Sequence, residues 1–469
     1  MNLLLPHSLP FSTAEADALL SALPMRQMAV FALVGEVGTE PYIGVAADLR
    51  RRLSRLLIPD PAHPRRLQLA SRVRSVAWRE AGSALEAQAV QFHLLAQMFG
   101  ERALERMHLR PPAFVRFHGG NPYPRLSVTT RVVREQQSWL FGPFASRTAA
   151  ERYSEDVLKL FLLRRCEENL APHPSHPGCI YGEMKKCLAP CFCGCTDARY
   201  REEAEAVEAF LATRGDSRLR VLHAARDAAS AKLEFERAAA LHAEAKQAEA
   251  VSTLAPELVR PLATLRACLL LPAAQPDAVA IFLFAAGALH GPELFSTLGM
   301  RIQNEASVST SLFAQPMLPV PLPLSSAPSA ETQLQPVVQQ ATVVHDTLQE
   351  RLDSVLAQLE SRAAFATEAL RRQGDLSLLT RWYYRPAQKR GGEIFFAQGH
   401  DSMQWPGAET PPPIVVSRIR SASSCPPQTA PSRSCPRPEI VSAARPGSHP
   451  RSRRSPDRLR PPAPRACAG

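Results

Sequence analysis

RRCEENLAPHPSHPGCIYGEMKKCLAPCFCGC (residues 164–195) holds six of the ten cysteines of the chain. Cys166, Cys179, Cys187 and Cys191 leave gaps of twelve, seven and three residues between them. Short gaps joined to a longer one let a single loop fold several thiolates around one metal ion or one cluster. Buried structural thiols, or a stray disulfide, would need no such convergence. A disulfide framework belongs to short secreted chains. This chain has 469 residues and opens MNLLLPHSLP, with neither a basic n-region nor a long apolar stretch. Metal or cluster ligation by these four cysteines is the expected chemistry of the segment, and the spacing leaves both zinc and iron–sulfur open.

The neighbouring elements set the fold class. Thr196 to Thr213 reads as a charged helix, and after Gly215 two more helical stretches are predicted, from about Ser217 to Ala229 and from Leu233 to Ala250. In the second, Phe235, Ala238, Ala239 and Leu241 lie near one face, flanked by Glu and Arg. A two-helix hairpin buries little area alone, so tertiary packing or a partner must cover its stripe. Upstream, PRLSVTTRVV and SWLFGPF alternate as strands do, before a helix from about Ala149 to Leu163. Tyr123, Arg125 and Phe144 in this stretch are candidates for nucleic-acid contact or for packing.

Farther out, Ser12-Thr-Ala-Glu15 before ADALLSAL predicts a capped helix closed by Pro24. MAVFALVG (28–35), the turn EVGT and PYIG (41–44) read as strand, turn and strand. ADLRRRLSRLL (47–57) then reads as a basic helix with Leu49, Leu53, Leu56 and Leu57 on one stripe, which suits a phosphate-facing surface or a merely solvated one. Beyond Pro261, ACLLLPA, AVAIFLFAAGALHGPELF and GEIFF read as strands, with a hairpin at AAG, and a long helix is expected from about Glu331 to Gln373. Asp277, Asp346, Asp353 and Asp375 read as solvated charges, since three of them lie on or beside a helix rather than on strands.

The predicted class is α+β and multidomain. The divisions are an N-terminal helix (1–27), a small mixed α/β domain (28–105), an α/β connector ending in the cysteines (106–195), a helical hairpin (196–255), a mixed segment (256–405) and a Pro/Arg-rich tail (406–469). The tail carries eleven Arg against Glu409, Glu439 and Asp457, a net of +8 within the +11 of the whole chain. Basicity is thus mainly a property of the tail and says little about nucleic-acid binding by the rest. With no periodicity the tail cannot bury a core and should be disordered, as a basic arm or as the product of a shifted reading frame. No run of about 18 apolar residues occurs, so no membrane span is expected. Reduced thiols and no targeting segment point to the cytoplasm.

FGPF (141–144), Cys166, the C-x7-C-x3-C run CIYGEMKKCLAPC (179–191) and LEFERAAALHAEAKQAE (233–249) together resemble the UvrC family of excinuclease ABC. That family is the nuclease component of bacterial nucleotide excision repair, and the resemblance covers roughly residues 28 to 300. It implies that Cys166, Cys179, Cys187 and Cys191 hold an iron–sulfur cluster, with zinc as the alternative. It also implies that 196–255 is a UVR-type hairpin. Such a hairpin docks on UvrB, the helicase component of the excinuclease, here through Leu233, Phe235, Glu236, Ala238 and Ala239. Residues 28–105 would be a GIY-YIG nuclease domain, whose chemistry uses a tyrosine as base, an arginine on the phosphate and a glutamate on one divalent metal.

Against that pattern Tyr42-Ile43-Gly44 matches the second half of the motif and Arg52 the arginine. The first half reads Ala29-Val30-Phe31, so a tyrosine has become Phe31, and Val45 stands where a lysine follows. The glutamate-bearing helix reads Glu86-Ala-Gln-Ala-Val-Gln91-Phe-His-Leu94-Leu95, which puts Gln91 at the metal-ligand position. A neutral amide is a poor partner for Mg²⁺. Glu86, five residues earlier, should point about 140° away around the helix. The family's second, ribonuclease-H-like nuclease domain and its helix-hairpin-helix pair find no counterpart.

Two readings from different classes follow. One is a nuclease-deficient protein acting through UvrB and damaged double-stranded DNA. The other is an active excision endonuclease that needs Mg²⁺, with Tyr42 as base and Arg52 on the phosphate. A zinc-stabilised DNA-binding protein outside repair is a third and weaker possibility.

Overall fold

A computed structural model describes residues 4–59, 67–132, 139–296, 350–363 and 368–397. Among them, helices and three four-stranded antiparallel sheets alternate, which is an α+β architecture.

The first sheet has the order β1 (His7–Pro10), β4 (Ser75–Glu80), β2 (Ala29–Val34) and β3 (Tyr42–Ala46). Successive side chains of a strand point to opposite faces, and the register assigns the two faces. Ala29, Phe31 and Leu33 pair with Ala46, Gly44 and Tyr42, on the side covered by α1 (Ala16–Ala22) and α2 (Leu49–Leu57). Val30 and Ala32 pair with Val45 and Ile43, on the side covered by α3 (Ala84–Phe99).

The N-terminal 27 residues are therefore more than a helix. His7–Pro10 pairs with Ser75–Trp78 as an edge strand, and its pairing supplies the backbone hydrogen bonds that so short a segment cannot advertise by pattern. The expected cap at Ser12 makes no side-chain hydrogen bond, and α1 begins at Ala16 after a 3₁₀ turn.

Past the short α4 (Arg102–Arg106), the second sheet runs β6 (Leu126–Thr129), β5 (Ala113–Phe117), β7 (Leu140–Phe144), β8 (Arg260–Pro261). Over it lie α5 (Arg147–Leu160) and, after the one-turn α6 (Ile180–Glu183), α7 (Asp197–Ala212); the Ser146 and Thr196 hydroxyls start α5 and α7, accepting from Ala149 and Arg199 N–H. Phe144 belongs to this core and stands 5.3 Å from the Tyr153 ring, so it packs rather than contacts nucleic acid. From α7 the chain enters an antiparallel pair, α8 (Asp216–Ala231) and α9 (Phe235–Ser252), closed on Leu222, Ala245 and Ala248.

The third sheet runs β11 (Ala288–Ser296), β10 (Ala278–Ala285), β9 (Ala267–Pro272), β12 (Glu393–Phe396). β9 and β10 read as unbroken apolar runs because both faces are covered. A helix over residues 350–363 (α10) packs on Cys268, Leu270 and Ile281 through Leu352, Leu356 and Leu359. The opposite face, with Leu269 and Leu271, meets α11 (Ala369–Tyr383) and the outer side of α3. Ala286 and Gly287, both at positive φ, make the hairpin between β10 and β11.

The long helix expected up to Gln373 is interrupted. Glu368 is extended (φ −58°, ψ 145°), and α11 starts anew behind it and runs on to Tyr383. The break lets α11 lie against α3, where a Cβ on Gly374 would stand 2.0 Å from Phe92 Cζ. Residues 331–349 of that expected helix, Asp346 and the tail 406–469 lie outside the described residues. Among the described residues no helix is long and apolar enough to cross a membrane.

Candidate functional site

The cysteine loop leaves α5 through Phe161 and Leu163, both buried in the second core. Their burial carries Arg164 inside with them, and only 1% of it is exposed. Its Nε donates to the Tyr123 carbonyl at 2.8 Å, and its Nη1 to the carbonyls of Glu168 at 2.8 Å and Cys166 at 3.3 Å. The same Nη1 lies 3.6 Å from Cys166 Sγ. The Arg164 N–H donates to the Tyr200 hydroxyl at 3.1 Å, and that hydroxyl donates to the Pro124 carbonyl at 2.8 Å. Tyr123 donates to Asp197 at the start of α7, and this bond, with burial behind it, pushes its hydroxyl up to about 12. Both ends of the loop are thus tied to one buried polar frame. Nothing in the local sequence marks Arg164 for burial beyond its following the apolar Phe161-Leu162-Leu163.

Cys187 and Cys191 are buried, Cys166 and Cys179 half-buried. Burial pushes the Cys187 thiol up to about 11, and the nearby Cys179, Cys166 and Cys191 add to the shift, opposed by the Ala189 N–H, which donates to its sulfur at 3.3 Å. Burial likewise raises Cys191, again with help from Cys179 and Cys166. Cys187 thus feels the charges of Cys166, Cys179 and Cys191. Cys195, half-buried, answers to burial and Asp197 first, with Cys191 and Cys193 nearby.

Four converging thiols with a backbone N–H on one sulfur fit a thiolate-bound metal or cluster in kind and number. Among the described residues no group of three or more His, Cys, Asp or Glu side chains is already arranged to hold a metal ion. A metal or cluster held by Cys166, Cys179, Cys187 and Cys191 would supply a cross-link for a loop with little regular structure of its own.

In the first sheet, Arg52 donates to the Tyr42 hydroxyl at 3.0 Å at the surface. Asp48 starts the helix that carries Arg52, accepting from the Arg51 N–H. The Phe31 ring, fully buried, lies 6.1 Å from the Tyr42 ring on the same face. Val45 sits on the opposite face, across from Val30, and Gln91 is half-buried on α3, which covers that opposite face. Glu86 is no spare ligand. It accepts the Gly82 N–H at 3.0 Å while Ser83 accepts the Glu86 N–H, a capping arrangement at the start of α3. Burial raises its carboxyl above the usual range, with the Gly82 N–H and Arg79 pulling the other way.

At the bend between α8 and α9, Leu233 and Phe235 are 71% and 66% exposed. Glu236 and Ala239 are exposed and Ala238 half-buried. The hairpin's inner stripe is Leu241, Ala245 and Ala248, so Phe235 stands off the stripe it was read into and projects outward.

The expectation of solvated carboxylates fails at Asp375, which is fully buried. It pairs with His93 Nε2 at 2.8 Å and accepts the Leu289 N–H at 3.0 Å. Because these partners come from α3 and β11, the pattern of α11 alone could not reveal them. Asp277 is half-buried and Asp353 exposed.

Against known families, residues 113–210 match the middle domain of UvrC/Cho excinucleases, the stretch from β5 through the cysteine loop to α7. Similar curated proteins include the UvrABC system protein C of Ruegeria sp. (strain TM1040), 29% identical over 201 residues, 43% of this chain and 31% of that protein. The UvrABC system protein C of Saccharopolyspora erythraea is 32% identical over 215 residues, 43% of this chain and 28% of its own. In Escherichia fergusonii the corresponding figures are 29% over 216 residues, 45% and 35%. The chain spans about a third of the length of these relatives. No solved structure matches at a significant level.

Proposed function

We propose that this chain, a member of the UvrC family, serves nucleotide excision repair as a component that binds its partner and damaged DNA without cutting. Residues 28–105 are assigned as a GIY-YIG-like domain with an incomplete centre, and 196–255 as a UVR-type hairpin that meets UvrB through Leu233 and Phe235. An iron–sulfur cluster, or zinc in its place, is assigned to Cys166, Cys179, Cys187 and Cys191. The cytoplasm is the compartment that fits such thiols and such a partner.

The observation that carries the reading is the Phe31, Tyr42 and Arg52 cluster. Phosphodiester hydrolysis of this kind needs a base, a phosphate clamp and a metal held by carboxylate charge. Tyr42 and Arg52, bonded to each other, supply the first two. Phe31 brings no hydroxyl, Gln91 no charge, and Glu86 is engaged as a helix cap. Without its carboxylate the metal would be poorly held, and the rate should fall by about two to three orders of magnitude or more. A second reading, an active endonuclease, is favoured by the intact Tyr42–Arg52 bond.

Incision of a lesion-bearing duplex, with UvrA, UvrB and Mg²⁺ present, separates the two. The wild-type chain is expected not to nick, while capture of UvrB persists and weakens at least about tenfold in Phe235→Ala. Metal-dependent nicking by the wild type that disappears in Tyr42→Phe would replace this reading with the active one.

A further inference from the structure

We propose that Arg164 is the positioning residue of the thiol centre, fixing Cys166 as a ligand and supplying the buried positive charge against which the thiolates are held. The inference rests on the assignment of a metal or cluster to the four cysteines. A guanidinium stays protonated in proteins, and this one is 1% exposed. Its side-chain partners are the carbonyls of Tyr123, Cys166 and Glu168 and the Cys166 sulfur. Among the described residues no Asp or Glu forms an ion pair with it. Carbonyl dipoles solvate a buried cation but do not neutralise it, and a buried charge left without a counter-charge is costly.

The ionisable group it touches is Cys166. Cys179, Cys187 and Cys191, assigned to the same metal or cluster, would bring further negative charge as thiolates. Four thiolates on one divalent ion leave an excess of negative charge, which a buried arginine offsets. The planar guanidinium also spans the Tyr123 carbonyl through Nε and the Cys166 and Glu168 carbonyls through Nη1, tying the backbone that follows the ligand to the segment before β6. A lysine ammonium keeps the charge but cannot span those acceptors in one plane.

The test is titration of the anaerobically purified full-length chain with Co²⁺ alone, following thiolate-to-cobalt charge-transfer absorption, which grows with the number of thiolates bound. Arg164→Gln is expected to weaken Co²⁺ binding at least about tenfold and to bring the absorption down to that of Cys166→Ser. Adding Arg164→Gln to Cys166→Ser should cost no further binding, because the arginine acts through that cysteine. Unchanged affinity and absorption in Arg164→Gln overturns the proposal, as does a further tenfold loss in the double variant. Should Arg164→Gln fail to fold by circular dichroism, Arg164→Lys carries the test, and wild-type affinity and absorption there overturns it equally. A wild-type chain without any charge-transfer band overturns the metal assignment and this proposal with it. Failure in Arg164→Gln alone leaves that assignment standing.

Discussion

Tyr42 and Tyr200 each share a hydrogen bond with an arginine, and the two bonds have little else in common. Tyr42 meets the Arg52 side chain at the surface of the first sheet. Tyr200, 1% exposed, bridges the Arg164 N–H and the Pro124 carbonyl inside the second core. The first core closes on Phe31, Leu33, Leu49 and Leu53 without help from any group that could act on DNA. Around Cys166 the polar groups are themselves the packing. A site whose reactive groups stand outside the core can lose a hydroxyl at position 31 or a carboxylate at position 91 and keep its scaffold. Where the polar groups are buried, chemistry and fold fail together.

The largest test of this contrast lies where His93 of α3 meets the buried Asp375. Asp375→Ala removes the acceptor of His93 and the Leu289 N–H and leaves Arg371, 3.5 Å away, without its carboxylate. Breaking a buried pair in this way should lower the unfolding free energy by about 3 kcal/mol, read from urea denaturation. A loss under about 1 kcal/mol would make the joint equivalent to a surface contact and remove the exception from the first region.

A matched pair of substitutions sharpens the contrast further. Tyr200→Phe strands two buried backbone groups and should cost about 2 kcal/mol. Tyr42→Phe, made at an exposed bond, should stay within about 0.5 kcal/mol. Equal losses in the same denaturation assay would mean that the two tyrosines do the same work, and the distinction between the regions would fall.

The legible part of the molecule follows from this division. Strands β2, β3, β9 and β10, the leucine stripe of α2 and the turn at Ala286-Gly287 are written in local periodicity, because apolar faces must be covered whatever covers them. Edge strand β1 and strand β4 escaped, the first because His7–Pro10 is defined by its partner and not by its own alternation. Arg164 and Asp375 were illegible for a deeper reason. Asp375 draws its donors from His93 and Leu289, and Arg164 reaches Tyr123 besides the nearby Cys166 and Glu168 carbonyls, so the partners that hold each charge inside come largely from elsewhere in the chain.

The smallest effect distinguishes the regions by sign. His118, bonded through Nε2 to Ser127 at 2.8 Å, is held down to about 4, first by burial and then by Arg125, Arg116 and Arg164. In the unfolded chain its imidazole titrates near 6.5, so between about 6.5 and 4 the unfolded state binds the extra proton. Its contribution is complete above 6.5 and is lost as the pH falls through that window. Glu86 runs the other way. Its raised carboxyl favours the folded state below the ordinary value of 4.5, and that contribution is lost as the pH rises through the raised value. Between pH 7 and 5, amide exchange should therefore speed up, after correction for intrinsic rates, around β5 and β6 and not at the start of α3. His118→Gln should flatten the first response, and Glu86→Gln, which keeps an acceptor for the Gly82 N–H, should flatten the second. Parallel responses in the two regions would show that acid loosens the molecule as one unit, and the separate character of its two cores would have to be given up.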